Sequence, residues 1–169
     1  MSKRPNRQAT RVNPRAKQQP SVSDEENWDV QTCPYTEDAP PLGFLQLCAD
    51  RRFHRDIQKQ FQKDAGLASP TDYWIHADAG GTPKMGAQHI APDYCYHQKK
   101  VRVMGWSAHG DGCGGFGEQV PDKIIERKLL ATVKRQRKRY KEAKHFVYFV
   151  TTKKERGAEK TVVYSMKCG

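Results

Sequence analysis

The 169-residue sequence predicts an α/β fold: a mainly parallel sheet of about five strands with helices on both faces. Apolar segments with the length of buried strands alternate with segments of helical period. Each of the two amphipathic helices follows a strand, which is the order of a parallel β-α-β unit. The last two apolar segments are rich in Val, Tyr and Phe and have no helix between them. The final strand is therefore expected at an edge, antiparallel to its neighbour.

The first strand and the first helix are adjacent in the chain. Residues 42–50, LGFLQLCAD, form a short apolar run that fits a buried strand. Residues 51–66 place Phe53, Ile57 and Phe61 four positions apart, on one face of a helix, and a glycine closes the segment.

The middle of the chain supplies two more strands and an irregular crossover. Residues 72–81, DYWIHADAGG, form a strand that ends in glycines. Residues 82–100 contain two prolines and are expected to be a loop with one or two helical turns. Residues 101–110, VRVMGWSAHG, form the third strand, which runs directly into a glycine-rich stretch.

The last third of the chain predicts a long helix and two strands. The helix lies within residues 120–144, with a proline near its start, as is common in a first helical turn. The strands lie at 145–152 and 160–167 and are joined by a charged loop around a glycine. One face of the helix carries Ile125, Leu129, Val133 and Tyr140.

Residues 1–40 are predicted to be a disordered or loosely docked tail, and residues 41–169 to be the folded domain. The net charge is +11, but residues 1–20 hold six basic and no acidic side chains, whereas residues 24–38 hold six acidic and no basic ones. These two segments cancel, so the basic excess lies in the folded part, mainly at 134–144. A basic helix end of this kind indicates at most a contact with nucleic acid or an acidic partner.

The cysteines indicate a reducing compartment. There are five, at irregular spacings: Cys33, Cys48, Cys95, Cys113 and Cys168. An odd number without an export signal favours free thiols over a disulfide framework. No apolar run follows the basic N-terminus, and none is long enough to span a membrane. We therefore expect a cytoplasmic protein without a membrane partner.

Reactive side chains follow three of the predicted strands, at residues 48–52, 78–81 and 109–113. In open α/β sheets, ligands bind outside the carboxyl ends of the strands. The first and third strands are commonly neighbours in such sheets, so Cys48, His109 and Cys113 could converge. Two thiolates and an imidazole suit Zn²⁺, with a fourth position left open or held by a carboxylate.

Simpler interpretations stay open for the same residues. Cys48 could be a core cysteine, and His109 could be a loop histidine bonded to backbone. Asp50 and Arg52 could form only a structural salt bridge. The stretch WSAHGDGCGGFG, residues 106–117, lacks the Gly-Lys-Ser/Thr end of a phosphate-binding loop. His76, inside a strand, is expected to be a hydrogen-bonded core residue.

Three motifs occur in the order found in the β-class carbonic anhydrases, and the chain resembles that family over roughly residues 42–153. The motifs are Cys48-Ala49-Asp50-Arg51-Arg52 after the first strand, Ala79-Gly80-Gly81 after the second, and a His/Cys pair followed by Gly-Gly after the third.

The resemblance implies a β-carbonic-anhydrase-like fold and a zinc ion held by Cys48, His109 and Cys113. It implies that Asp50 accepts a hydrogen bond from zinc-bound hydroxide, or itself binds the metal in a closed, inactive state. It implies that Arg52 holds Asp50 away from the metal.

Two departures from the family pattern lie in the motifs themselves, and a third is that the glutamine which completes the family's substrate pocket from a dimer partner has no counterpart placed in this sequence. The family has two residues between the histidine and the cysteine, whereas three separate His109 from Cys113. The flanking glycines could absorb the extra residue, or Asp111 could replace one of the ligands. The family also has Arg-Asn before its Ala-Gly-Gly turn, where this chain has Ala77-Asp78.

The expected function is zinc-dependent, reversible hydration of carbon dioxide to bicarbonate, in a homodimer or higher homo-oligomer. A related hydrolase of CS₂ or COS is one alternative. The other is a zinc-stabilised binding module whose basic helix, 134–144, contacts nucleic acid or an acidic partner.

Overall fold

The structure is a computed structural model that describes residues 41–86 and 88–168. The tail, residues 1–40, lies outside the described residues, so its disordered or loosely docked state stays a prediction. Within the described part of the chain, no helix is both long enough and apolar enough to cross a membrane.

The described residues form five strands, three α-helices and several short turns. The main elements are β1 (Gly43–Cys48), α1 (His54–Ala65), β2 (Tyr73–Asp78), α2 (Ile90–Asp93), β3 (Val103–His109), α3 (Asp122–Arg139), β4 (Lys144–Glu155) and β5 (Ala158–Cys168). The 3₁₀ turns are Arg51–Phe53, Pro70–Asp72 and Thr82–Lys84, and a π-helical turn, Tyr94–Gln98, continues α2.

The strands form one sheet in the order β2-β1-β3-β4-β5. The first three pairings across the sheet are parallel, and β5 runs antiparallel to β4 at the edge. This confirms the predicted α/β fold with a mainly parallel five-stranded sheet. It also confirms that the first and third strands are neighbours, with Gly43 opposite Val103.

Alternation along the strands builds a core on each side of the sheet. In β1, Phe44 and Cys48 face one side, and Leu45 and Leu47 face the other. The Phe44 side packs against α3 and the Leu45 side against α1. The two helices therefore cover opposite faces, as predicted. The α3 residues predicted to share one face are all buried: Ile125, Leu129 and Val133, with Tyr140 just beyond the helix.

The long helix ends earlier than its sequence suggests. Basic and polar residues continue the helical pattern to residue 144, but α3 ends at Arg139. The next residue, Tyr140, is fully buried, and its hydroxyl donates a 2.7 Å hydrogen bond to Asp93. That contact fixes the Tyr140 ring in the core, beside the segment that precedes β3.

The burial of α3 gives a matched test of the core. Leu129 is fully buried and its neighbour Leu130 is 39% exposed. We expect Leu129→Ala to lower the free energy of unfolding by about 2–5 kcal/mol, because it removes buried apolar contacts and leaves a cavity. Leu130→Ala should cost about 1 kcal/mol or less. Urea unfolding of both variants measures the difference, and equal losses would contradict the helix orientation.

Candidate metal centre

The parallel pairing of β1 with β3 brings the three predicted ligands together. Cys48 is the last residue of β1 and His109 is the last residue of β3. Cys113 lies in the loop that follows β3. Because parallel neighbours end at the same edge of a sheet, all three side chains meet at this edge.

The donor atoms lie at the separations of a compact site. The two sulfurs of Cys48 and Cys113 are 3.9 Å apart, and Nε2 of His109 is 3.2 Å from Sγ of Cys48. All three donor atoms lie within 4.8 Å of one another. The residues are 5%, 1% and 1% exposed for Cys48, His109 and Cys113. The group is therefore a buried cluster of two thiols and one imidazole.

The second nitrogen of His109 fixes the tautomer of its ring. Nδ1 is 2.7 Å from the carbonyl oxygen of Gly110, which can only accept, so Nδ1 carries the proton and donates. In the neutral ring, Nε2 then presents its lone pair to the sulfurs. The ring of Phe53 packs against the imidazole at a centroid distance of 5.0 Å and limits its rotation. A histidine held in this way is in the form that binds a metal.

The two thiols differ in acidity. Burial would raise the pKa of Cys48, but a hydrogen bond from His109 when its ring is protonated, together with backbone donors at Asp50 and Gly80, lowers it to about 7. For Cys113, burial and the nearby Cys48 raise the pKa to about 11. One thiolate thus forms readily in this cluster. A second one needs a positive charge between the sulfurs.

Asp50 and Arg52 form a clamped pair beside the cluster. Asp50 caps the 3₁₀ turn that follows β1, accepting the backbone N–H of Arg52 at 3.1 Å. The guanidinium also donates to both carboxylate oxygens, from Nε at 3.1 and 3.0 Å and from Nη2 at 2.7 Å. These hydrogen bonds lower the pKa of Asp50 and keep it ionised. Oδ2 of Asp50 is 3.7 Å from Nε2 of His109.

The extra residue between His109 and Cys113 is absorbed by a left-handed bulge. Asp111 and Gly112 have φ angles of 53° and 74°. Aspartate is one of the few non-glycine residues that tolerates this region. The backbone N–H of Asp111 donates to Oδ1 of Asp122 at 2.9 Å, which ties the bulge to the start of α3. His109 and Cys113 therefore still face one another.

The Asp111 side chain points away from the sulfurs. Its Oδ2 accepts a hydrogen bond from Thr152 at 3.0 Å and lies 3.6 Å from Nη1 of Arg52. Its backbone oxygen accepts from Nη2 of Arg52 at 3.0 Å. Asp111 does not replace a predicted ligand in this structure. Instead it positions Arg52, the residue that is hydrogen-bonded to Asp50.

The Ala-Gly-Gly turn packs against the loop that carries Cys113. Gly81 has a φ of 59°, and a Cβ there would lie 2.8 Å from the backbone oxygen of Ser107. A Cβ on Gly115 would overlap the backbone of Ala79 and Gly80. The turn therefore requires glycine at position 115 of the facing loop, and glycine at position 81 where it lies against β3. The turn also directs a backbone N–H of Gly80 at Cys48, as its effect on the pKa requires.

The structure also tests two further expectations about histidines and cysteines outside the cluster. The spacing of Cys95 and His97 in the sequence is compatible with metal ligands, but Cys95 is buried, His97 is exposed, and neither belongs to a group of converging ligands among the described residues. His76 is hydrogen-bonded, as expected, but it is not a core residue, because its side chain is 33% exposed on the edge strand β2. Strand alternation alone could not show that β2 is an edge.

The donor geometry fits zinc. In a tetrahedral zinc site, with bonds of about 2.3 Å to sulfur and 2.0–2.1 Å to nitrogen, two sulfurs lie about 3.8 Å apart and a sulfur and a nitrogen about 3.6 Å apart. The sulfurs, at 3.9 Å, already have this separation, and His109, at 3.2 Å, needs to move back by a few tenths of an ångström. Thiolate and imidazole are the donors that structural and catalytic zinc sites use.

No protein-family model matches the chain, and a search of curated proteins finds no match. Among solved structures, the chain is similar to a tetrameric β-carbonic anhydrase from the filamentous ascomycete Sordaria macrospora, at 14% identity and a TM-score of 0.43. That alignment covers 76% of this chain and 84% of the other.

Two further structures are similar. The β-carbonic anhydrase CcaA is 11% identical with a TM-score of 0.43, covering 73% of this chain and 74% of its own. The β-carbonic anhydrase CafA of the fungal pathogen Aspergillus fumigatus is 11% identical with a TM-score of 0.38, covering 73% and 76%. At these scores the likeness carries no inference about activity, which has to come from the site itself.

Adjacent glycines test how the site is built. Gly115 touches the Ala-Gly-Gly turn, whereas a Cβ on Gly114 would meet no atom within 4 Å. We expect Gly115→Ala to push the Cys113 loop off the turn and to weaken zinc binding at least about tenfold, the loss typical of a disturbed supporting shell. Gly114→Ala should bind zinc as the native chain does. Competition with a chromophoric chelator measures both affinities. Equal affinities would show that the loop contact does not position Cys113.

Proposed function

We propose that the chain is a zinc-dependent lyase that reversibly hydrates carbon dioxide to bicarbonate. One observation carries this proposal. Two buried sulfurs and one imidazole nitrogen converge within 4.8 Å, next to a carboxylate that an arginine grips through two of its nitrogens. The motifs in the sequence point to the same chemistry.

Cys48, His109 and Cys113 would hold the metal. Three protein ligands leave a fourth position, which is the arrangement of catalytic rather than structural zinc sites. Zinc bound there would lower the pKa of a water ligand to about 7, which would supply a nucleophile at neutral pH. The cation would also offset the repulsion between the two buried thiolates.

Asp50 is proposed to orient the nucleophile. Its carboxylate is ionised and can only accept hydrogen bonds. Its Oδ2 lies 3.7 Å from Nε2 of His109. The Asp50 side chain is 24% exposed, so it borders both the cluster and solvent. A carboxylate in this place would accept a hydrogen bond from the nucleophile and so turn one of its oxygen lone pairs toward the carbon of the substrate.

Arg52 is proposed as a positioning residue. Four hydrogen bonds join it to Asp50, and a fifth joins it to the backbone oxygen of Asp111. The planar guanidinium restrains both carboxylate oxygens in one plane. Held in this way, Asp50 cannot swing onto the metal and occupy the fourth position.

The remaining expectations belong to the same proposal. Carbon dioxide and bicarbonate are the substrate pair, the chain forms a homodimer or higher homo-oligomer, and it acts in the cytoplasm. The hydrolase of CS₂ or COS would use the same residues. The binding module would instead use Lys134, Arg137, Lys138 and Lys141, which border one surface recess.

The ligand test compares two cysteines. Purified native protein should contain one tightly held zinc and should hydrate carbon dioxide in a stopped-flow pH-indicator assay. Cys48→Ser should lose zinc affinity by more than about 100-fold, beyond the loss from a supporting residue, and lose hydration with it. Cys168→Ser, outside the cluster, should retain both.

The Asp50→Asn variant separates orientation from metal binding. We expect it to keep zinc and to slow hydration at least about tenfold, because the amide cannot act as an ionised acceptor. Asp56→Asn, in the first turn of α1, is the matched control. Zinc without hydration in the native chain would refute the lyase. Turnover of COS instead, or salt-dependent binding of nucleic acid, would then identify which alternative holds.

A further inference from the structure

We propose that His76, Asp78 and His89 form a second metal site that binds a divalent transition metal such as Zn²⁺, Cu²⁺ or Ni²⁺. It lies apart from the Cys48, His109 and Cys113 cluster and does not rest on the proposed lyase activity. The group satisfies the same geometric condition as the first: one donor atom from each residue, all within 4.8 Å of one another.

Strand alternation and a crossover loop create the group. His76 and Asp78 are two residues apart on β2, so both side chains lie on the same face of the sheet. His89 immediately precedes α2 and reaches back to the strand. Nε2 of His89 is 2.9 Å from Oδ2 of Asp78, and Nδ1 of His76 is 3.3 Å from the same oxygen. The two imidazole centroids are 4.7 Å apart.

The donors suit zinc and its neighbours in the first transition series. Two imidazole nitrogens and one carboxylate oxygen are common ligands of Zn²⁺, and imidazole also suits Cu²⁺ and Ni²⁺. Around one zinc, a ligand nitrogen and a ligand oxygen lie about 3.4 Å apart. The two nitrogen–oxygen distances here, 2.9 and 3.3 Å, are both slightly shorter than that value, so small ring movements suffice.

One buried nitrogen of the group, Nδ1 of His89, has no hydrogen-bond partner among the described residues. A cluster with a purely structural role would be expected to pair its buried nitrogens. One buried nitrogen of the group therefore stays unpaired, although Nε2 of His89 and Nδ1 of His76 both have partners.

A neighbouring glutamine predicts that this site is the weaker one. Oε1 of the buried Gln46 lies 3.1 Å from Nδ1 of His76. A metal at Nδ1 needs its lone pair, so binding has to displace the proton shared with Gln46. The thiolate cluster has no such competitor at Nε2 of His109. The first metal equivalent should therefore occupy the cysteines and the second the histidines.

The group has an open approach. His76 and His89 line a cavity of about 570 Å³ whose other walls include Trp74, Ile75 and Tyr94. The side chains of His76, Asp78 and His89 are 33%, 42% and 20% exposed. A metal can enter here from solvent, and its fourth coordination position is available to water or to an exogenous ligand.

Cobalt titration of the metal-free full-length chain tests the proposal. Co²⁺ at thiolates gives intense near-ultraviolet charge-transfer absorption, whereas Co²⁺ at imidazole and carboxylate gives only weak visible bands. We expect two equivalents, the first with sulfur charge transfer and the second without it. His89→Ala should abolish the second equivalent, and Asp78→Asn should weaken it at least about tenfold. Both should leave the first intact.

His97→Ala, at an exposed histidine outside both groups, is the matched control and should keep both equivalents. A native chain that takes up no cobalt outside the thiolates would overturn the second site. So would a second equivalent that survives unchanged in both His89→Ala and Asp78→Asn. The lyase proposal fails by a different result, the absence of hydration, which leaves this titration unaffected.

Discussion

Two buried thiols 3.9 Å apart, beside one imidazole, are the constraint on which the rest of the site depends. Burial removes the water that would screen two thiolates, so both can ionise together only around a cation. Hydrogen bonds to Cys48 favour the first thiolate, and the nearby charge opposes the second at Cys113. A doubly charged metal ion would resolve this conflict, and the sheet brings the two sulfurs to the spacing that such an ion requires.

The surrounding residues keep this arrangement in place. Gly115 allows the loops after β2 and β3 to touch, and Gly81 lets the turn after β2 lie against the ends of β1 and β3. Asp122, at the start of α3, accepts a hydrogen bond from the loop after β3 and another from Thr151 of β4. The end of one strand, the start of one helix and two loops are thereby joined around the donors. In the proposed mechanism, this rigidity lets Arg52 fix Asp50 at one side of the metal.

The sequence was sufficient for the sheet and for the convergence of Cys48 with His109, because apolar periodicity and β-α-β order determine which strand ends meet. It was not sufficient for Asp111, whose backbone conformation depends on a contact with Asp122, distant in the chain. The His76 and Asp78 spacing places both on one face of a strand, yet nothing local shows that the strand lies at an edge or that His89 reaches it. Contacts of that kind depend on tertiary packing.

Zinc K-edge X-ray absorption, on purified protein carrying one equivalent of zinc, tests the central claim most directly. Our account predicts a first shell of two sulfurs at about 2.3 Å, with nitrogen and one further light atom at about 2.0–2.1 Å. A shell composed only of nitrogen and oxygen, or a chain that retains no zinc, would contradict it.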